Sequence, residues 1–106
     1  MARALITLPA SVRRGEAFEI RTLIAHPMET GYRSGDDGKL QPRNLIRRLR
    51  CHYDEELVFS AEFFAAVAAN PYVAFYTLAM ASGTLRFTWD GDNGFTQAES
   101  RAITVT

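Results

Sequence analysis

Between Phe18 and Ile24 the chain alternates: Phe18, Ile20, Thr22 and Ile24 fall on one face, and Glu19, Arg21 and Leu23 on the other. A period of two puts successive side chains on opposite sides of an extended backbone, so this stretch is predicted to be a half-buried strand. His26-Pro27 follows directly. Proline offers no backbone N–H to a ladder and steers the residue before it away from helical angles, so the strand stops there. The chain is committed to sheet early, and the same signal recurs along it.

Short β-prone runs separated by turn residues make up most of the remaining sequence. Arg3 to Leu8 is closed by Pro9, as an edge strand would be, and Ala10 to Glu16 is a polar turn around Gly15. Asn44 to Tyr53 alternates again: Leu45, Leu49, Cys51 and Tyr53 share a face interrupted by Arg47, with Ile46, Arg48, Arg50 and His52 opposite. Asp54-Glu55-Glu56 turns the chain into a hairpin partner, Leu57 to Phe64. The alanine-rich stretch Ala61 to Ala69 admits a short helical turn, which Asn70-Pro71 stops. Tyr72 to Ala81 is nearly all apolar or aromatic and reads as a strand covered on both faces. After Ser82-Gly83, Leu85, Phe87 and Trp89 alternate with Thr84, Arg86 and Thr88. Asp90-Gly91-Asp92-Asn93-Gly94 is a hairpin turn, and the last strand ends with Ile103 and Val105. About seven strands with closely spaced turns and almost no helix predict an all-β, immunoglobulin-like antiparallel β-sandwich. Residues 1–106 are the size of a single domain.

One connection is longer than the rest. From Met28 to Arg43 no period is resumed, and Gly31, Asp36-Asp37-Gly38 and Pro42 mark turns. Connections of this length are uncommon in compact domains and are more often functional or flexible. His26-Pro27-Met28-Glu29-Thr30-Gly31 sits where strand gives way to loop, the first place to look for a binding surface.

Twelve basic residues balance twelve acidic ones, so no net field recommends nucleic acid or an anionic membrane as a partner. Arg47, Arg48 and Arg50 read as a solvated strand face, a usual defence against edge pairing, in preference to an anion site. No run approaches the ~20 apolar residues of a membrane span, and Met1 to Glu16 lacks the apolar core of a signal peptide. Taken alone, the chain reads as cytosolic.

The search for chemistry is mostly negative. Neither of the two histidines, His26 and His52, pairs with another ligand at metal spacing. A blue-copper site needs a Cys…His…Met loop between late strands, and an iron site of several histidines and one cysteine needs more histidines than these. No metal or other cofactor is expected. Cys51 is the one cysteine, which excludes an internal disulfide. Adjacent strand residues point to opposite faces, so His52 is badly placed to activate Cys51, which reads as a small core residue. Glu29 serves equally well as a loop-stabilising carboxylate. No catalytic residue is expected; the competing reading is a stand-alone ligand-binding or redox module using Cys51 and His52.

The run from Phe18 to Gly31, ending in His26-Pro27-Met28-Glu29-Thr30-Gly31, resembles the SoxZ family. So do Pro42-Arg43 ahead of the third strand, Asn70-Pro71-Tyr72 ahead of the apolar strand, and Ser82-Gly83-Thr84-Leu85-Arg86-Phe87-Thr88-Trp89. The likeness runs nearly end to end; the six-residue motif is specific, and the other segments support it in order and spacing. It implies a non-catalytic subunit of the SoxYZ carrier of bacterial thiosulfate oxidation. Its partner would be SoxY, in a heterodimer or a higher assembly, with transient contacts to Sox enzymes. In that family SoxY bears a flexible C-terminal arm ending in Gly-Gly-Cys-Gly-Gly, whose cysteine carries the sulfur intermediates. This sequence ends Ala102-Ile103-Thr104-Val105-Thr106, so the resemblance gives Cys51 no carrier role. It also implies a periplasmic location reached by co-export with a signal-bearing SoxY, without membrane insertion. Obligate heterodimer faces are enriched in aromatic residues and methionine. On that basis His26, Pro27, Met28, Glu29, Thr30 and Gly31, with Asn70, Pro71 and Tyr72, are expected on or beside the surface facing SoxY or shown to Sox enzymes.

Overall fold

The computed structural model describes residues 3–106; Met1 and Ala2, which the single-domain expectation included, lie outside the described residues. In chain order the strands are β1 (Ala4–Thr7), β2 (Ser11–Val12), β3 (Ala17–Ile24), β4 (Ile46–Tyr53), β5 (Glu56–Glu62), β6 (Tyr72–Leu78), β7 (Gly83–Gly91) and β8 (Thr96–Val105). They form two sheets, one of three strands in the order β1-β3-β6 and one of five in the order β2-β8-β7-β4-β5. This is the immunoglobulin-like sandwich that the turn spacing predicts. Among the described residues the one helical feature is a 3-10 turn, Asp92–Gly94, between β7 and β8. The additional strand, β2, is two residues long, lies within the segment read as a polar turn, and runs parallel to β8.

Alternation does the folding. Phe18, Ile20, Thr22 and Ile24 of β3 and Phe75 of β6 turn inward. They meet Leu49, Cys51 and Tyr53 of β4, Leu85, Phe87 and Trp89 of β7 and Ile103 of β8 in one buried cluster. Each large apolar side chain buried this way stabilises the fold by roughly 1.5–3 kcal/mol. The polar members are satisfied locally: the Thr22 hydroxyl donates to the Val73 carbonyl at 2.9 Å. The Tyr53 hydroxyl donates to the Ala81 carbonyl and accepts the Met80 and Ala81 N–H groups at 3.4 and 3.3 Å. That one phenol pins the crossover from β6 to β7.

Three local expectations are corrected. Ile46 was expected outside with Arg48 but is fully buried. The register of β4 on β7 shifts between Ile46 and Arg48, so Leu45 and Ile46 both face inward and Arg47 and Arg48 both face solvent. The close approach needs Gly91, where a Cβ would stand 2.5 Å from the Leu45 carbonyl oxygen and 3.0 Å from the Ile46 Cα. Ala61 to Ala69 winds into no helix and makes a single turn, closed by the Val67 N–H donating to the Phe64 carbonyl at 3.0 Å. β5 runs on to Glu62, and Phe63 is buried with its N–H bonded to the Arg47 carbonyl at 2.9 Å, which holds the backbone on the sheet. Finally, Tyr72 to Ala81 is a strand to Leu78, but only one of its faces is covered. Val73, Phe75 and Thr77 face the core, while Tyr72, Ala74, Tyr76 and Leu78 face solvent.

Candidate partner-binding surface

The His26 to Gly31 motif is a knot tied to two other parts of the chain. Where β3 ends, the His26 N–H donates to the Asn70 Oδ1 at 2.9 Å and the Asn70 N–H donates back to the His26 carbonyl at 2.8 Å. Asn70 holds a left-handed backbone (φ 54°), which asparagine tolerates better than most residues. Buried Pro71 follows, and its carbonyl accepts the Ile24 N–H at 3.3 Å. The two motif segments, distant in sequence, are thus clipped together at one end of the three-stranded sheet.

His26 is buried. Its Nδ1 accepts the Met28 N–H at 3.0 Å across Pro27, which assigns the ring proton to Nε2, and its ring meets Phe95 edge-on with centroids 5.0 Å apart. Nε2 is buried without a hydrogen-bond partner among the described residues. Burial lowers the pKa of the imidazole, and the nearby Asp92 carboxylate acts in the opposite sense. The ring works as a neutral structural acceptor.

Met28 also holds a left-handed backbone (φ 52°) and turns its side chain into the core, 5% exposed, where Sδ accepts the Ile46 N–H at 3.3 Å. Glu29 then pairs with Asn44 through two N–H···O bonds of 2.8 Å, closing the base of the long connection. Its carboxylate takes Arg33 in a fork, the shortest bond being 2.6 Å, and that hydrogen bond holds the carboxyl below its ordinary range. Thr30 Oγ1 accepts the Tyr32 N–H at 3.2 Å. At Gly31 φ is 92°, and a Cβ would press on Arg43 Cβ at 3.3 Å. The connection is itself ordered: Ser34 bridges Leu40, and the Gln41 N–H donates to the Arg33 carbonyl at 2.7 Å.

Sequence reasoning missed the counter-anchor, Asp92. Its carboxylate accepts the Leu45 N–H at 3.1 Å, pairs with Arg43 at 3.0 Å and reaches Arg47 at 3.5 Å. Burial acts to raise its pKa, but the Leu45 N–H and the two arginines outweigh it and the carboxyl lies below its ordinary value. The sequence shows this residue only as part of a hairpin turn. Arg48 pairs with Glu62 at 3.9 Å and Arg50 with Asp90 at 2.8 Å, so each arginine of the β4 stripe has a carboxylate beside it.

Of the nine residues expected to face a partner, His26, Met28 and Pro71 are buried, Glu29, Thr30 and Gly31 are half-buried, and Pro27, Asn70 and Tyr72 are exposed. Tyr72, at 59% exposure, leads onto an outer face that sequence reasoning did not assign, where Tyr76 at 67%, Leu78 at 56% and Leu5 at 53% flank the Glu19–Arg21 ion pair of β3. The signal was present in the apolar residues on both faces of β6. Beside them a shallow depression of about 350 Å³ is lined by Arg3, Leu5, Leu23, Ala25 and Asn70. On the opposite sheet Cys51 is fully buried, burial pushes its thiol up to about 12, and His52 lies on the other face of β4. No group of three or more His, Cys, Asp or Glu side chains comes together as a metal set among the described residues.

A family model described as sulphur oxidation protein SoxZ matches residues 6–102. The chain belongs to the SoxZ family. Several solved structures share its fold. Superoxide reductase (neelaredoxin) from Ignicoccus hospitalis aligns with a TM-score of 0.77 at 20% identity, over 97% of this chain and 80% of that one. A putative superoxide reductase from Thermotoga maritima aligns at 0.72 and 19% identity, over 97% and 85%. The sulfur carrier protein SoxY from Chlorobium limicola f thiosulfatophilum aligns at 0.67 and 12% identity, over 96% and 74%. At these identities the likeness to this SoxZ-family chain is one of fold. No curated protein matches the sequence. Among the described residues no helix is long and apolar enough to cross a membrane.

Proposed function

We propose that this chain is a non-catalytic subunit of a SoxYZ sulfur carrier. It binds SoxY, in a heterodimer or a higher assembly, and helps present SoxY's C-terminal cysteine arm to the enzymes of thiosulfate oxidation. The family match over residues 6–102 carries this reading. Two structural features support it. Cys51, the one thiol, is sealed in the core, so sulfur chemistry on an exposed cysteine falls to the partner. The outer face of the three-stranded sheet bears Leu5, Tyr72, Tyr76 and Leu78 uncovered, the last three on a strand whose sequence reads as covered on both sides. A partner on that face reconciles the two observations.

In this reading the exposed Pro27 and Tyr72 meet the partner, and the buried His26, Met28 and Pro71 hold them in place. The complex works in the periplasm, and the chain arrives there by co-export with a signal-bearing SoxY. Purified chain and SoxY mixed at micromolar concentration are expected to sediment as one complex. Separate sedimentation of the two proteins refutes the partnership. Loss of the chain from the periplasm when the SoxY signal is deleted is the expected result for export; unchanged export refutes that part.

A further inference from the structure

The three-stranded sheet ends on β6, and no strand among the described residues pairs with that edge. The ladder to β3 fixes which groups are free. The Ile24 N–H donates to the Pro71 carbonyl at one end, the Ala79 N–H donates to the Glu16 carbonyl at the other, and the register between them runs in step. Bonded and non-bonded pairs alternate in an antiparallel ladder. Val73, Phe75 and Thr77 therefore bond to β3, while the N–H and C=O groups of Tyr72, Ala74, Tyr76 and Leu78 point out along the open edge.

Edges of this kind are templates for pairing, and proteins blunt them with short strands, charge, proline or bulges. The other edges comply. β1 has four residues with Pro9 soon after, and β2 has two. β5 begins and ends on glutamate, and its register is broken by a shift between Cys51 and His52. β6 has seven residues with no charge and no proline. It also begins at Tyr72, the exposed aromatic residue of the motif surface.

We propose that the open edge of β6 takes an extended, uncharged segment of SoxY as a fourth strand of this sheet; the inference rests on SoxY being the partner. Size decides between SoxY and a second copy of this chain. A seven-residue strand is ~23 Å long, and with a sheet spacing of ~10 Å its edge offers only ~230 Å². Stable complexes bury ~800 Å² per partner, so the occupant must also lap over the outer face at Leu5, Tyr72, Tyr76 and Leu78. A twofold copy joined β6 to β6 continues the sheet in its own plane and leaves both outer faces bare. A different chain can pair with the edge and cover the face together.

Ala74→Pro is the test, because the Ala74 N–H faces the open edge and edge strands tolerate proline. The variant is expected to keep its thermal midpoint and to bind SoxY at least tenfold more weakly. In the wild-type complex, the amides of Tyr72, Ala74, Tyr76 and Leu78 are expected to slow in hydrogen exchange on SoxY addition, while those of Val73, Phe75 and Thr77 are already protected in the free chain. If SoxY binds but Ala74→Pro binds equally well and the four amides stay fast, the edge inference falls and the partnership stands. If SoxY does not bind the wild-type chain at all, both fall. If the chain alone forms a dimer that Ala74→Pro dissociates while SoxY affinity is unchanged, the edge serves a second copy and the inference is overturned.

Discussion

Met28→Ala and Tyr72→Ala should fail in different assays, although the two residues belong to one recognisable set. Met28 is buried between the sheets and its sulfur accepts the Ile46 N–H. Truncating a buried methionine to alanine costs about 2–5 kcal/mol through lost burial and the cavity left behind. It also strands a buried N–H, which costs about 1–3 kcal/mol; sulfur is a weak acceptor, so the lower end applies. The sum is about 4 kcal/mol, a large share of the ~5–15 kcal/mol that holds a domain of this size. Tyr72 lies on the surface, where substitutions usually stay within about 0.5 kcal/mol. Urea unfolding followed by tryptophan fluorescence reads both, since Trp89 is in the core. Met28→Leu conserves volume and removes only the sulfur, and is expected to lose about 1–2 kcal/mol. SoxY titration should reverse the order: Tyr72→Ala weakens binding, whereas Met28→Leu, still folded, binds nearly as well as wild type. A Met28→Ala protein within 0.5 kcal/mol of wild type would refute the assignment of Met28 to the core.

Three further outcomes are expected. With its thiol pushed up to about 12 by burial, native Cys51 should react with a thiol reagent at pH 8 far more slowly than in urea; labelling as fast as a free cysteine would favour the redox-module reading. His26 is held neutral, its pKa lowered by burial from the ordinary 6.5. The unfolded chain therefore takes up a proton that the folded chain refuses, and stability should fall as pH drops through 6.5 and level off below the lowered native value. Urea midpoints between pH 7.5 and 5 should show this in wild type and a flatter profile in His26→Gln; a rise in stability toward low pH contradicts the neutral assignment. Gly91→Ala places a methyl 2.5 Å from the Leu45 carbonyl oxygen and should cost about 1–3 kcal/mol in the same unfolding assay, against no change if the β4 bulge can shift freely.

The fold was legible because alternation and turn chemistry agree along most of the chain. Phe18 to Ile24 and Leu85 to Trp89 needed only a period of two to be placed on the correct faces. Ile46 could not be placed that way, since the bulge reverses the faces of Ile46 and Arg47 and depends on a glycine 45 residues later. Ala61 to Ala69 carried helix propensity that buried Phe63 overrides by tying the backbone to β4. The motif was legible as a unit but not as a structure. Proline at position 27 announced the strand end, whereas the inward turn of Met28 depends on a left-handed backbone and on an Ile46 donor that only the folded chain brings near. Asp92 was hidden for the same reason: its partners Arg43, Leu45 and Arg47 meet it only across the sandwich end.

If the outer face of β6 meets SoxY as proposed, these contacts give the buried members of the motif a part in that recognition without touching the partner. The reciprocal bonds between His26 and Asn70 fix where β6 begins, and Pro71, bonded to Ile24, fixes its register on β3. Register in a strand decides face: a slip of one residue would turn Tyr72, Tyr76 and Leu78 inward and Val73, Phe75 and Thr77 out. The clip therefore sets both which side chains stand on the outer face and which backbone groups line the open edge. A sequence-specific motif at the end of a strand can in this way specify a surface some 20 Å long that it does not itself form, at the ~3.3 Å per residue of an extended chain. The histidine, asparagine and proline hold the strand; the proposed SoxY surface is the strand they hold.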